Sequence, residues 1–199
     1  MATGTVHSNG IELFYETRGP EDGVPLIFVM GLSAQLVFWP EGLLDALANR
    51  GYRVIAFDNR DAGKSSYIRK PFKYGPMQAM LRYMVGARVH APYTLDDPVA
   101  DTFGLMDALG IERAHLVGAS MGGMVVQLAA ATHPGRVLSI TSIMSSTNSQ
   151  LLPPPKPAAL KTLVAPRVKI ETVDQYVAFG LDMMAKLGGT LDPGRDELE

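Results

Sequence analysis

The chain has 199 residues, 47% of them hydrophobic and 19% charged, which suits one globular domain with a sizeable core and excludes a disordered chain. A net charge of -2 without any dense basic run argues against nucleic acid or an anionic membrane as the partner. The absence of cysteine excludes disulfides and thiolate metal centres. No run approaches the ~20 apolar residues of a membrane span, and residues 1–10 lack a leader-like pattern, so a cytoplasmic protein is expected.

In chain order, Ser8-Asn9-Gly10 separates two alternating segments, 3–7 and 11–17, and Asn-Gly in that setting predicts a β-hairpin. Residues 25–30 form a continuous apolar run, as a strand covered on both faces requires, and Gly31 ends it. Residues 36–49 carry apolar side chains at helical spacing up to Gly51, and 52–57 read as a second buried strand ending at Asp58. Residues 66–94 interrupt the pattern and read as an insertion with a short amphipathic piece at 77–85. The alternation then resumes with a helix over 96–109, a strand over 114–117, a helix over 121–133 and a strand over 137–144. Two opening strands followed by strand–helix alternation predict an α/β fold. Its sheet should be mostly parallel, with helices on both faces and right-handed crossovers. The insertion should lie near the C-terminal edge of the strands, where such sheets bind ligands.

After residue 145 the alternation stops. Residues 145–157 are polar and then proline-rich, which suits a linker, and 173–187 have the apolar spacing of an amphipathic helix. The expected organisation is a core over 1–150, with the insertion at 66–94, and a helical cap segment, or its beginning, over 151–199.

The chemistry-bearing motif is Gly118-Ala119-Ser120-Met121-Gly122. A G-x-S-x-G match is weak alone, but this one follows a predicted strand and opens a predicted helix, the context a nucleophile elbow requires. Ser120 would sit at a sharp, strained turn, with Gly118 and Gly122 leaving room for close packing of strand and helix. An ordinary serine N-cap is the simpler alternative, but it does not need glycine on both sides. Directly after the first buried strand come Met30-Gly31-Leu32-Ser33. The Leu32 and Met121 backbone N–H groups are candidates for an oxyanion hole, whose donors are worth a few kcal/mol each in the transition state. The segment 58–65, Asp-Asn-Arg-Asp-Ala-Gly-Lys-Ser, superficially suggests a phosphate loop. Asp58 stands where that motif needs its first glycine, so Asp58 and Arg60 are read as ordering the loop instead.

In combination and order, these three motifs resemble the α/β-hydrolase superfamily over about residues 5–150. The Asp-x-Arg-Asp-x-Gly-x-Ser variant at 58–65 and Tyr-Thr-Leu-Asp-Asp at 93–97 resemble its bacterial esterase branch, the aclacinomycin methylesterase-like proteins. The resemblance implies Ser120 as the nucleophile of a Ser–Asp–His triad that hydrolyses a small-molecule ester through an acyl-enzyme, without cofactor or metal. Position 30 departs from the family's usual His-Gly start by carrying Met.

The triad's chain order is Ser, then acid, then His. His133, the only histidine after Ser120, lies thirteen residues on along the predicted helix, roughly 20 Å away at 1.5 Å per residue. His115 begins the elbow strand, His7 belongs to the hairpin, and His90 lies in the insertion. No carboxylate follows the strand at 137–144 until well beyond Ser145-Ser146-Thr147-Asn148. The expectation is therefore a sheet truncated after about six strands, without the acid and histidine. Two functions remain open at this point. One is a serine esterase of reduced activity. The other is a non-catalytic binding or assembly module that pairs with a second copy through an open sheet edge.

Overall fold

The computed structural model describes residues 1–68, 73–147, 149, 151–152, 172, 174–175, 178 and 182. The chain divides into two compact units, one made of Met1–Lys73 with His90–Ser149 and the other of Tyr74–Val89 with Gln150–Glu199.

In the first unit, β1 (Ala2–Ser8) and β2 (Ile11–Arg18) form the predicted antiparallel hairpin, with Ser8 opposite Ile11 and both turn residues, Asn9 and Gly10, at positive φ. They are followed by β3 (Val24–Val29), a 3-10 turn at Leu36–Phe38, α1 (Glu41–Ala48) and β4 (Tyr52–Phe57). The single helix predicted over 36–49 is broken. Pro40 lacks the N–H that a continuous helix would need and sits as the N-cap of α1, its carbonyl accepting from the N–H groups of Leu43 and Leu44.

The second unit contains α2 (Pro76–Met84), which matches the amphipathic piece and starts on proline, a residue suited to a first helical turn. Arg82 stacks over the Tyr74 ring at 4.6 Å. Most of the helix expected over 173–187 lies outside the described residues, although Asp174, Gln175, Ala178 and Asp182 are helical. The proline-rich 153–157 also lie outside them. Back in the first unit come α3 (Asp96–Ala108), β5 (Ala114–Ala119), α4 (Met121–Thr132) and β6 (Val137–Ile143). At the start of α3, Thr94 Oγ1 accepts from the Asp96 N–H while Asp97 Oδ2 accepts from the Thr94 N–H, a reciprocal cap.

The six strands form one sheet in the order β1-β2-β4-β3-β5-β6, antiparallel at β1–β2 and β2–β4 and parallel elsewhere. Side chains alternate between its faces. Ile27, Val29, Ile55, Phe57 and Leu116 pack with residues of α3 and α4, among them Val99, Met106, Val125 and Val126. Leu26, Phe28, Val54, Ala56 and Val117 pack on the other face with Leu36, Trp39 and Leu44. Phe28 and Trp39 meet edge-on at 4.8 Å. Both central strands are thus buried on two sides, as their unbroken apolar runs predicted. β6 differs. It pairs only with β5 among the described residues, and every residue of it after Val137 is exposed.

Candidate functional site

Ser120 lies between the buried end of β5 and the first turn of α4, at φ 53° and ψ -118°. L-residues adopt positive φ only at a cost of about 1–3 kcal/mol, so the surroundings must impose it. They do so from three sides. The Ser120 N–H donates to the Ile143 carbonyl at 2.9 Å, anchoring the turn to the end of β6. A Cβ on Gly118 would strike the Gly122 carbonyl on α4. A Cβ on Gly122 would strike the Val29 carbonyl and lie 2.8 Å from Met30 O at the end of β3. The two glycines therefore serve different contacts, one between β5 and α4 and the other between α4 and β3. The Ser120 side chain is exposed and makes no capping hydrogen bond to α4, which removes the N-cap reading.

The loop after β3 lies against this serine. A Cβ built on Gly31 would sit 3.1 Å from Ser120 Cβ and 3.6 Å from Ser120 Oγ. Leu32 follows, 68% exposed, and Ser33 turns the chain at φ 60°. Met121, as the first residue of α4, holds one of the N–H groups that a helix start leaves without an intrahelical partner. Leu32 thus directly follows the residue that backs onto Ser120, and Met121 directly follows Ser120 in the chain.

The segment after β4 braces this loop from below. Asp58, 3% exposed, accepts from the Leu36 N–H at 2.8 Å through Oδ1 and from the Lys64 N–H at 2.9 Å through Oδ2. The Asn59 side-chain amide donates to the Met30 carbonyl at 2.7 Å. Ser65 Oγ donates to the Asp58 carbonyl and accepts from the Phe14 N–H, tying the segment to β2. Lys64 lies over the Phe14 ring at 4.4 Å, and a Cβ on Gly63 would strike the Asp58 carboxylate, so Gly-Lys-Ser here packs a loop rather than cradling a phosphate.

Arg60 is buried and forms a two-pronged pair with Asp101 on α3, at 2.7 Å for both contacts. Asp97 lies 3.3 Å from its third nitrogen, and Asn9 Nδ2 donates to Asp101 from the hairpin turn. The Tyr93 ring lies under the Arg60 guanidinium at 4.9 Å, and its hydroxyl donates to Asp61 at 2.6 Å. Burial, reinforced by that hydrogen bond, pushes the Tyr93 phenol well above the usual tyrosine range.

The histidines fall elsewhere. His115, five residues before Ser120 on β5, shares a 2.7 Å hydrogen bond with Ser139 Oγ. His133 ends α4, its ring 4.6 Å from that of Phe103 and its Nδ1 2.9 Å from Thr132 Oγ1. His7 is exposed on β1, and His90 is exposed in the segment leading to α3. Gln127 fills the space behind the elbow, donating to the Gly123 carbonyl and to Ser142 Oγ. Asn59 had no signal beyond its position beside Asp58, whereas Gly31 was marked by the abrupt end of an apolar run. Among the described residues no cluster of His, Asp and Glu is arranged to hold a metal, and no helix is long and apolar enough to cross a membrane.

A strained serine at a strand-to-helix turn of a mostly parallel sheet, faced by the loop of the neighbouring strand, is the arrangement of an α/β-hydrolase type of fold. Residues 24–173 match the family model described as the alpha/beta hydrolase fold, and the chain belongs to that family. It is 33% identical over 131 residues to RutD of Variovorax paradoxus (strain S110), named as a candidate carbamate hydrolase; the match covers 66% of this chain and 41% of that protein. It is 29% identical over 144 residues to the rhodomycin D methylesterase DauP of Streptomyces sp. (strain C5), covering 72% of this chain and 42% of that one. A solved hydrolase from Pseudomonas aeruginosa PA01 superposes with a TM-score of 0.62 at 25% identity, over 98% of this chain and 64% of that structure. The chain thus spans about two fifths of the length of the curated relatives it matches.

Proposed function

We propose that this chain carries the nucleophile and oxyanion-binding part of a serine-dependent carboxylic ester hydrolase acting on small-molecule esters. The observation that carries the reading is the conformation of Ser120, an exposed hydroxyl held at φ 53° between a buried strand and a helix start. In the proposed reaction Ser120 Oγ attacks the ester carbonyl. The Leu32 and Met121 N–H groups bind the oxygen as it becomes negative, the alcohol leaves with a proton, and water then releases the acid from the acyl-enzyme. The methylesterase relative supports an ester as substrate.

The four histidines lie in the places described above, and Ser120 Oγ has no hydrogen-bond partner among the described residues. Its rate should therefore rest on the oxyanion donors and substrate binding, which alone sustain about 10³–10⁴ over water in triad-deficient serine hydrolases. Incubation with a fluorophosphonate is expected to add one label, located on Ser120 by mass spectrometry, and Ser120→Ala is expected to abolish it. No label on the unmodified chain, or a label that persists in Ser120→Ala, overturns the reading.

A second reading, an assembly module, is favoured by β6, whose outer edge is open among the described residues and whose Leu138, Ile140 and Ile143 are 39%, 39% and 36% exposed. A monodisperse monomer by light scattering counts against it.

A further inference from the structure

We infer that Asn59 is a positioning residue for the oxyanion loop, acting through the Met30 carbonyl on the peptide that carries the Gly31 N–H and leads into Leu32. The inference rests on the proposed role of Ser120 and extends it to a residue that touches neither the serine nor a substrate.

Asn59 is 3% exposed, and its amide Nδ2 donates to Met30 O at 2.7 Å. The Met30 carbonyl and the Gly31 N–H belong to one planar peptide, so fixing the oxygen fixes the plane from which residues 31 and 32 depart. The same oxygen faces the first turn of α4, where a Cβ on Gly122 would lie 2.8 Å from it. Met30 O is thus held between the Asn59 amide and the helix that carries Met121. The Met30 side chain is buried in the core beside α1 and offers no polar group of its own to brace the loop. Farther along, Asp58 takes the Leu36 N–H. Consecutive residues therefore hold the two ends of the segment 30–36. Among the described residues Asn59 is the side chain that acts on the Met30–Gly31 peptide, while on the next peptide the Gly31 carbonyl accepts from the Ala34 N–H at 3.2 Å. Without that donor the buried carbonyl is left unpaired, and the peptide loses the hydrogen bond that sets its orientation. An oxyanion donor displaced by about 1 Å costs on the order of 100-fold in rate, without a matching change in ground-state binding.

The test is the kinetics of fluorophosphonate labelling on the full chain, resolved into kinact and KI, for the unmodified protein, Asn59→Ala and Asn59→Leu. Leucine fills the space without a donor. The rate constant is read from the approach to the endpoint, so it reports only on molecules that are folded and competent. Both variants are expected to lose about 10- to 100-fold in kinact, with KI within about twofold and the label still on Ser120. A kinact within about twofold of the unmodified chain in either variant overturns the inference while leaving Ser120 as nucleophile. Loss of cooperative melting in both variants also overturns it, because Asn59 would then be holding the core. Absence of labelling in the unmodified chain removes the nucleophile reading itself, and this inference with it.

Discussion

Gly122→Ala is expected to lower the stability of the chain by about 3 kcal/mol and to suppress labelling of Ser120, although the substitution adds one methyl group to a helix. In an exposed helix the same change stabilises by about 1 kcal/mol. Here the sign reverses because the new Cβ meets backbone. It strikes the Val29 carbonyl and lies 2.7 Å from Val29 C and 2.8 Å from Met30 O. A flexible side chain could rotate away from such a contact, but the end of a central parallel strand cannot. Either α4 lifts off β3 or the strand end moves, and Gly31 and Leu32 move with it. A drop in melting temperature on the order of 10 °C should accompany the loss of labelling. Gly42→Ala is the control. Gly42 lies in α1 with nothing within 4 Å of its would-be Cβ, so alanine there should raise the melting temperature slightly. Equal melting temperatures for Gly122→Ala and the unmodified chain would show that the close approach of α4 to β3 is not maintained.

Arg60→Ala is expected to destabilise by about 3–5 kcal/mol, because it leaves the Asp101 carboxylate buried without a counter-charge. Asp101 is 1% exposed, and its remaining partner is the amide of Asn9. The damage should spread through the elements that the pair joins, namely the hairpin turn at Asn9, the segment after β4 and α3. The double variant Arg60→Met with Asp101→Leu removes both charges and keeps the volume. It is expected to recover most of the loss, since desolvating the pair offsets much of its attraction. Urea unfolding of the two single variants and the double variant decides this. If the double variant falls as far as the sum of the singles, the pair is not a coupled unit.

Local signals were enough for the element order. The Asn-Gly turn, the two unbroken apolar runs, and the strand–serine–helix sequence around Ser120 each reflect chemistry within about ten residues. Each is found in place, within a residue or two. The missed break at Pro40 was also local. The helical spacing of apolar residues over 36–49 hid a proline that cannot continue a helix, and Leu36 and Trp39 keep that spacing because the 3-10 turn buries them in the same core as Leu44. The sequence placed β6 as the last strand with an open edge beyond it, as found among the described residues, but its apolar pattern records only what a strand is able to bury. Whether a neighbour covers it depends on the rest of the sheet.

By itself the sequence determined that Ser120 stands at a turn between a buried strand and a helix, flanked by glycines, with a glycine-containing loop after an earlier strand. Those facts follow from hydrophobic periodicity and from the backbone freedom of glycine, both properties of short segments. Only the tertiary structure decided what each glycine makes room for, that Asn59 grips Met30 from 29 positions away, and that Arg60 finds Asp101 from 41 positions away. These contacts depend on how twisted strands and packed helices bring distant segments to one edge of a sheet, and no local pattern encodes that distance.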